Sequence, residues 1–220
     1  MDNFWIFTSL LTGYLLGSLP FGYLVAKAHG VDIFKVGSGN PGATNVKRTL
    51  GPKAGNTVLA LDMVKGAVAT AWPLLPMLET PHEEVLQLIG VVAAVLGHSF
   101  SVFTRFKGGK GVATAAGGLF VLMPVACAIA AVAWAVVFYA SRYVSLGSIM
   151  AAVAIIVTSW LRDYHVATSI VATVLAVFVI IRHHSNIRRL LAGTEPKFVK
   201  KSAASGAPPA RRPPPPETAA

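Results

Sequence analysis

Residues 112–140, VATAAGGLFVLMPVACAIAAVAWAVVFYA, form an uncharged run of 29 residues with Pro124 near its middle. About 20 apolar residues are enough to cross a bilayer as a helix, so this run is either one strongly tilted helix or two shorter ones. Proline has no backbone N–H and cannot continue the helical ladder, which makes Met123-Pro124 a suitable place for the chain to turn back. The choice between one helix and two decides the topology of the chain.

The composition places this run in a membrane protein. Hydrophobic residues make up 54% of the 220 residues and charged residues only 13%, and the mean hydropathy is +0.62. A soluble domain normally carries about 25% charged residues. At 23.1 kDa the chain leaves no room for a separate soluble catalytic domain, so chemistry is expected in short loops and at helix ends. The single Cys127 has no partner for a disulfide or a thiolate metal site.

Five further apolar runs are long enough to be transmembrane helices. They are residues 4–26, 57–78, 85–103, 144–161 and 166–181. Counted with residues 112–140 as one helix they make six spans, and with two helices there they make seven.

The basic residues favour seven. With seven spans the inner segments 27–56, 104–111, 141–143 and 182–220 hold 17 of the 19 lysines and arginines. With six spans the eight basic residues of the last segment would lie outside, against the positive-inside rule. We therefore predict an all-α polytopic membrane protein with seven transmembrane helices, the N-terminus outside and the C-terminus cytoplasmic. The fourth and fifth helices are expected to be unusually short.

The chain is predicted to divide into a membrane domain, residues 1–201, and a tail, residues 202–220. The tail is rich in proline and alanine and carries Arg211 and Arg212. It has too few apolar residues to offset its own ordering entropy and is expected to be disordered. Its basic residues are either solvated or attracted to anionic lipid.

The first polar cluster at the inner face is GSGNPGATNVKR, residues 37–48. Asn40 is a good N-cap and Pro41 suits the first helical position, so a short helix is predicted over residues 41–50. Its N-terminus would offer free N–H groups and a positive dipole end to an anion such as phosphate. The alternative is a glycine-rich turn that only connects two spans.

The second cluster is GHSF, residues 97–100, followed by FKGGKGVAT, residues 106–114. Lys107 and Lys110 bracket two glycines and make a cationic loop with bare backbone amides. A glycine follows Lys110 where a nucleotide-binding P-loop requires serine or threonine, so ATP binding is rejected. The alternative is that the lysines only anchor the loop at the inner face.

The third cluster is HHSNIRRL, residues 183–190, with Glu195 close behind it. Asn186 lies three residues from both His183 and Arg189, so it shares a helix face with each. Adjacent histidines on a helix point about 100° apart, and no third ligand is spaced to help, so no metal site is expected.

Three further features complete the polar inventory. Thr44 and Arg48 are four residues apart on one face of the predicted short helix. Ser145 adds a hydroxyl at the same membrane face or caps a helix. Asp62 and Lys65 lie inside the second span, where ionisable groups are costly unless paired or functional, and an ion pair between them is favoured.

The three clusters strongly resemble, in order and spacing, the three cytoplasmic motifs of the bacterial acyl-phosphate:glycerol-3-phosphate acyltransferase family (PlsY). The likeness covers residues 1 to about 201. It implies seven transmembrane helices in the bacterial cytoplasmic (inner) membrane, with the active site on the cytoplasmic side. It also implies transfer of a fatty acyl group from acyl phosphate to the sn-1 hydroxyl of glycerol 3-phosphate. The products would be lysophosphatidate and phosphate, for phospholipid biosynthesis.

The resemblance also assigns candidate residues. It implies catalytic roles for Ser38, Arg48, Lys107, Lys110 and His98. It implies substrate binding by Gly39, Asn40, Thr44, Asn45, Lys47, Gly108, Gly109, Gly111, Ser145, His183, Asn186, Arg189 and Glu195. Cationic and backbone donors would act by positioning the substrates and by stabilising developing charge. The acceptor of the hydroxyl proton is His98, His183 or the substrate phosphate, which we favour.

The implied partners are acyl phosphate, glycerol 3-phosphate and membrane lipid, with no cofactor, nucleic acid or protein partner. The His-x4-Asp base of soluble-type glycerolipid acyltransferases is missing, because no histidine has an aspartate five residues on. The rival interpretation is a membrane transporter of phosphate or an organophosphate. Transport usually requires polar groups at mid-depth and repeated halves, and only Asp62 and Lys65 hint at the first.

Overall fold

The computed structural model describes residues 3–75 and 82–198, and within these ranges it contains helices and no strands. The α-helices are α1 (Asn3–Ser18), α2 (Phe21–Ala28), α3 (Ala43–Leu50), α4 (Pro52–Ala71), α5 (Glu83–Ser99), α6 (Val112–Leu122), α7 (Pro124–Ser141), α8 (Val144–Leu161), α9 (Val166–Arg182) and α10 (His184–Leu191). Two short 3-10 helices span Trp72–Leu74 and Val102–Thr104. The predicted all-α class is confirmed, and the predicted tail lies outside the described residues.

The chain turns back at Met123. Helix α6 ends at Leu122, and Pro124 occupies the first turn of α7, where its missing N–H costs nothing. The Cys127 thiol lies 4.0 Å from the carbonyl oxygen of Ala116, eleven residues earlier. In a continuous helix such atoms would be about 16 Å apart, so the chain folds back here as the sequence predicted. Helix α6 is short, at 11 residues, but α7 has 18, so the expectation of two short helices is wrong for the second.

The first apolar run is not one continuous helix. It was expected to span residues 4–26, but α1 ends at Ser18 and α2 begins at Phe21. Pro20 has no N–H to donate and interrupts the helical ladder, and at this break the carbonyl of Leu19 accepts a hydrogen bond of 3.1 Å from the N–H of Phe21. That carbonyl also accepts a hydrogen bond of 2.8 Å from the ammonium of Lys65 on α4.

Several segments are long and apolar enough to cross a membrane. By length and composition the described residues provide four, Asn3–Ala28, Glu83–Thr104, Pro124–Ser141 and Val144–Leu161. A fifth is obtained if α9 and α10, which meet at a bend of 56°, are counted together. Together with the exposed apolar side chains along these helices, they describe a multi-pass membrane protein.

Helices α1 and α5 run parallel and in close contact. Ser9 donates a hydrogen bond of 2.6 Å to the carbonyl of Leu86, and eight residues further along both helices Gly17 lies against Ala94. A Cβ on Gly17 would lie 2.1 Å from the Ala94 carbonyl oxygen, so only glycine permits this approach. Small residues at such contacts are typical of membrane helix pairs. Because the helices are parallel, both end at the same side of the protein.

Candidate active site

The loop before α3 is shaped by two asparagines. The side-chain oxygen of Asn40 accepts a hydrogen bond of 2.9 Å from the N–H of Gly42, which forms a turn ahead of the helix. Gly42 therefore occupies the N-cap and α3 begins at Ala43, two residues later than predicted. The side chain of Asn45, 4% exposed, accepts from the N–H of Ser38 at 3.0 Å and donates to the carbonyl of Val36 at 3.0 Å. Asn45 thus holds the loop that presents Ser38.

The glycine loop, residues 106–111, precedes α6 and lies directly on the end of α5. The N–H of Gly109 donates to the carbonyl of His98 at 3.1 Å, and the carbonyl of Gly109 accepts from the guanidinium of Arg182 at 3.0 Å. A Cβ on Gly109 would lie 2.1 Å from Nε2 of His98, so the ring leaves no room for a side chain. These contacts hold the loop that carries Lys107 and Lys110 against the end of α5.

Glu195 connects the third cluster to α8. One carboxylate oxygen accepts hydrogen bonds of 2.7 Å from Ser145 and from Asn186, and the other pairs with Arg189 at 2.7 Å. Burial alone would raise the pKa of Glu195, yet these three donors hold it below its usual value. The amide oxygen of Asn186 also accepts from the ammonium of Lys110. The network therefore joins α8, α10 and the glycine loop.

A polar cavity of about 170 Å³ opens where these segments meet. Among the described residues its lining includes three cationic side chains, those of Lys110, Arg182 and Arg189, and no carboxylate. The remaining lining residues are Ser38, Asn40, His184 and Ser185. Burial lowers the pKa of Lys110 to about 8, an effect that Glu195 opposes and the neighbouring arginines reinforce. An anion with two negative charges would relieve this concentration of positive charge.

A second, smaller cavity of about 20 Å³ lies on the other side of the glycine loop. Adjacent residues of the chain line the two cavities. Asn40 and Lys110 line the first, and their neighbours Pro41 and Gly109 line the second. The polar side chains around the second cavity are those of Ser18, Asp62, Lys65, His98, Ser101, Thr104 and Lys107. Lys107 therefore lines the smaller cavity, and Lys110, Arg182 and Arg189 line the larger one. The cations of the first cluster, Lys47 and Arg48, line neither.

Of the other predicted residues, Gly108 lines the smaller cavity, whereas neither cavity is lined by Gly39, Thr44, Lys47, Arg48 or Gly111. Arg48 donates a hydrogen bond of 2.9 Å to the carbonyl of Pro196, which places it beside Glu195. Lys47 donates to Asn56 at 3.1 Å. Thr44 lies in the first turn of α3, Gly39 in the loop before it, Gly108 beside the carbonyl of His98, and Gly111 at the N-cap of α6.

His183 lines neither cavity, although its neighbours Arg182 and His184 line the larger one. Its Nδ1 lies 2.7 Å from the carbonyl oxygen of Val179, and its side chain is buried at the bend between α9 and α10. Burial lowers its pKa to about 4, so the ring is neutral near pH 7. The larger cavity is also lined by three residues that were not predicted from the sequence, Arg182, His184 and Ser185. The sequence signal that could have identified two of them is the three-residue spacing of Arg182 and Ser185 at the end of the last span.

Comparisons with known proteins identify the family of this chain. The family model described as glycerol-3-phosphate acyltransferase matches residues 7–193. The chain belongs to the glycerol-3-phosphate acyltransferase family. A family relative from Trichlorobacter lovleyi, named glycerol-3-phosphate acyltransferase, is 46% identical over 89% of this chain and 96% of its own. One of the same name from Bacillus subtilis is 43% identical over 86% of this chain and 95% of its own.

Two solved structures of this family also match. A crystal structure of PlsY, an integral membrane glycerol 3-phosphate acyltransferase, in its glycerol 3-phosphate form has a TM-score of 0.81 and 40% identity. That match covers 88% of this chain and 96% of the other. The lysophosphatidic acid form gives a TM-score of 0.79 at 39% identity, covering 88% and 95%. The all-helical membrane fold is thus confirmed by likeness to an integral membrane enzyme.

Residues 194–198, which we name the C-terminal strap, cross the site and are held by Phe198. The N–H of Phe198 donates to the carbonyl of Arg142 at 2.8 Å, and its ring lies 6.0 Å from that of Phe138. The ammonium of Lys47 lies 5.4 Å from the centre of the Phe198 ring. The strap therefore positions Glu195 within its network.

Phe198→Ala is expected to lower kcat by about tenfold, because losing a packed aromatic ring frees the strap that carries Glu195. Turnover should be measured on purified protein in lipid, together with thermal unfolding. Phe7→Ala is the matched control, since Phe7 on α1 is 63% exposed and lies outside the site. Equal rates for Phe198→Ala and the control would show that the strap does not position Glu195.

Proposed function

We propose that this protein transfers a fatty acyl group from acyl phosphate to the sn-1 hydroxyl of glycerol 3-phosphate, giving lysophosphatidate and phosphate. One observation carries the proposal: the loop before α3, the glycine loop and the α9–α10 bend converge on one cavity whose charged lining is entirely cationic. Such a lining suits substrates that carry phosphate dianions. Membership of the glycerol-3-phosphate acyltransferase family supports the same acceptor.

The chemistry needs no covalent enzyme intermediate. Acyl phosphate is a mixed anhydride, so phosphate is a good leaving group once its developing charge is balanced by Lys110, Arg182 or Arg189. Holding both substrates in one polar cavity lowers the activation free energy, because the reacting groups are already close together. His183 is buried and hydrogen-bonded to a backbone carbonyl, which leaves it poorly placed as the base. The ring of His98 is held between Asp62 and Gly109, so we assign the hydroxyl proton to the phosphate of the substrate.

Seven transmembrane segments are proposed for this enzyme. They are α1 with α2, then α4, α5, α6, α7, α8 and α9, with the N-terminus outside. The parallel pairing of α1 and α5 supports this order, since the first and third of alternating spans run in the same direction. The placing of 17 of 19 basic residues on one side supports an active site that faces the cytoplasm from the inner membrane.

The rival function, transport of a phosphate compound, rested on Asp62 and Lys65 at mid-depth. Their side chains pair with each other at 2.7 Å and are each 3% exposed, so they are not open to a passing solute. Purified protein in liposomes, given acyl phosphate and glycerol 3-phosphate, separates the two functions. The proposal expects lysophosphatidate without any activity on acyl-CoA, and flux of glycerol 3-phosphate without product would refute it.

Arg48→Ala and Lys107→Ala are each expected to lower turnover by about tenfold or more while the protein stays folded. Lys107 lines the smaller cavity and Arg48 holds the strap at Pro196, and losing such a charged contact typically costs more than about 1.4 kcal/mol in the transition state. Steady-state kinetics in lipid with both substrates measures the loss. Lys35→Ala is the control, because Lys35 is a cation of the same loop region whose side chain is 82% exposed. Wild-type rates in either variant would remove that residue from the site.

A further inference from the structure

A buried ion pair lies beneath the active site, and it contacts more than its own partner. Asp62 and Lys65 on α4 pair at 2.7 Å, with both side chains 3% exposed. The ammonium of Lys65 also donates to the carbonyl of Leu19 at 2.8 Å, at the break between α1 and α2. It lies 5.5 Å from the centre of the Phe21 ring, the first residue of α2. Lys65 therefore fixes the point at which the first span bends.

Asp62 also contacts the end of α5, through the same carboxylate oxygen that pairs with Lys65. Its carboxylate lies 3.5 Å from Nδ1 of His98, whose side chain is 9% exposed. The far side of the His98 ring is in contact with Gly109, and the backbone of His98 accepts the N–H of that glycine. Asp62 thus contacts the loop that carries Lys107 and Lys110 through one intervening residue, His98.

We propose that Asp62 and Lys65 are positioning residues for acyl transfer: Lys65 fixes the bend of the first span, and Asp62 fixes the His98 ring on which the glycine loop rests. This inference rests on the proposed function and assigns the pair a role beyond stability. All four elements that meet here, the α1–α2 break, α4, the end of α5 and the glycine loop, line the smaller cavity with Lys107. This role explains the position of the pair in α4, because Lys65 and Asp62 must contact Leu19 and His98 at the same time.

The energetics of buried ion pairs provide a way to separate positioning from stability. Removing one member leaves an uncompensated buried charge, whereas replacing both by apolar residues of similar size is often neutral or stabilising. Only the double replacement therefore tests position without a large loss of stability. If the pair served stability alone, a folded double variant would work at the wild-type rate.

The test is the double variant Asp62→Leu/Lys65→Met, reconstituted in lipid and assayed for lysophosphatidate from acyl phosphate and glycerol 3-phosphate. We expect a melting temperature close to that of the wild type. We expect kcat to fall by at least about tenfold, because Leu19 and His98 lose their partners. A folded double variant with wild-type kcat would overturn the proposal. Ser9→Ala is the control, since it removes a buried hydrogen bond near the middle of α1, away from the break at Leu19, and should leave kcat unchanged.

A second double variant, Asp62→Asn/Lys65→Gln, removes both charges but keeps hydrogen-bonding atoms at both positions. The proposal expects it to retain most of the wild-type kcat, and a loss as large as that of the apolar variant would overturn it. If the apolar variant does not fold, Asp62→Ala/Lys65→Ala, which also lacks hydrogen-bonding atoms at both positions, takes its place, and wild-type kcat in that folded variant would overturn the proposal. Failure of the wild type to make lysophosphatidate would instead refute the proposed function, so the two failures are distinguishable.

Discussion

Lys110→Met is expected to lower kcat by about a hundredfold, equivalent to about 2.7 kcal/mol of transition-state stabilisation. The Lys110 ammonium lines the larger cavity and donates to Asn186, so it lies where the charge of a leaving phosphate would develop. Methionine has a similar length and keeps the packing, which limits the loss to the charge. The measurement is steady-state turnover in lipid, with Lys53→Met as the control for an exposed lysine at the start of α4. A decrease no larger than in the control would exclude Lys110 from catalysis.

The pH profile follows from the same residue. Because burial lowers the pKa of Lys110 to about 8, the ammonium is protonated below that pH and loses its charge above it. We therefore expect kcat/KM to fall as the pH rises through about 8, since this ratio reports groups of the free enzyme. Lys110→Arg keeps its charge at any accessible pH and should move the falling limb to higher pH. The same limb in both proteins would assign it to another group.

Glu195→Ala is expected to reduce both stability and turnover. The substitution leaves Ser145, Asn186 and Arg189 without their shared acceptor in a site where Glu195 is 5% exposed. Unsatisfied buried donors cost about 1–3 kcal/mol each, so the melting temperature should fall clearly. We expect kcat to fall by about a hundredfold, because Asn186 also orients Lys110.

Glu195→Gln is the matched comparison. It keeps one carbonyl oxygen for Ser145 or Asn186 but removes the charge that pairs with Arg189. We expect it to be more stable and more active than Glu195→Ala. Full activity in Glu195→Ala would show that this network is not needed to organise the cavity.

The helical architecture could be predicted where one local rule decides it. Pro124 marks the turn between α6 and α7, and α8 has the predicted bounds of residues 144–161. The bend at Pro20 followed from the same rule but was missed, because an uncharged run of full membrane length outweighed a single proline. The start of α3 was placed two residues early, since Asn40 forms a turn with Gly42 in place of a cap.

The candidate site could be predicted in composition but not in arrangement. The ion pair of Asp62 with Lys65 followed from the cost of isolated charges in a membrane, and it is confirmed at 2.7 Å. The contact of Ser145 with Glu195 joins residues 50 apart in the chain, which no local pattern encodes. The division of the cations into two cavities depends on how the glycine loop packs against His98, and this is a property of tertiary structure.

The central claim is that cationic groups from separate segments bind a phosphate dianion in one cavity, and equilibrium binding of radiolabelled glycerol 3-phosphate in lipid tests it most directly. We predict that inorganic phosphate competes and glycerol does not, and that Lys110→Met weakens binding by about tenfold, roughly one charge contact. Competition by glycerol but not by phosphate, or unchanged affinity in Lys110→Met, would contradict the account.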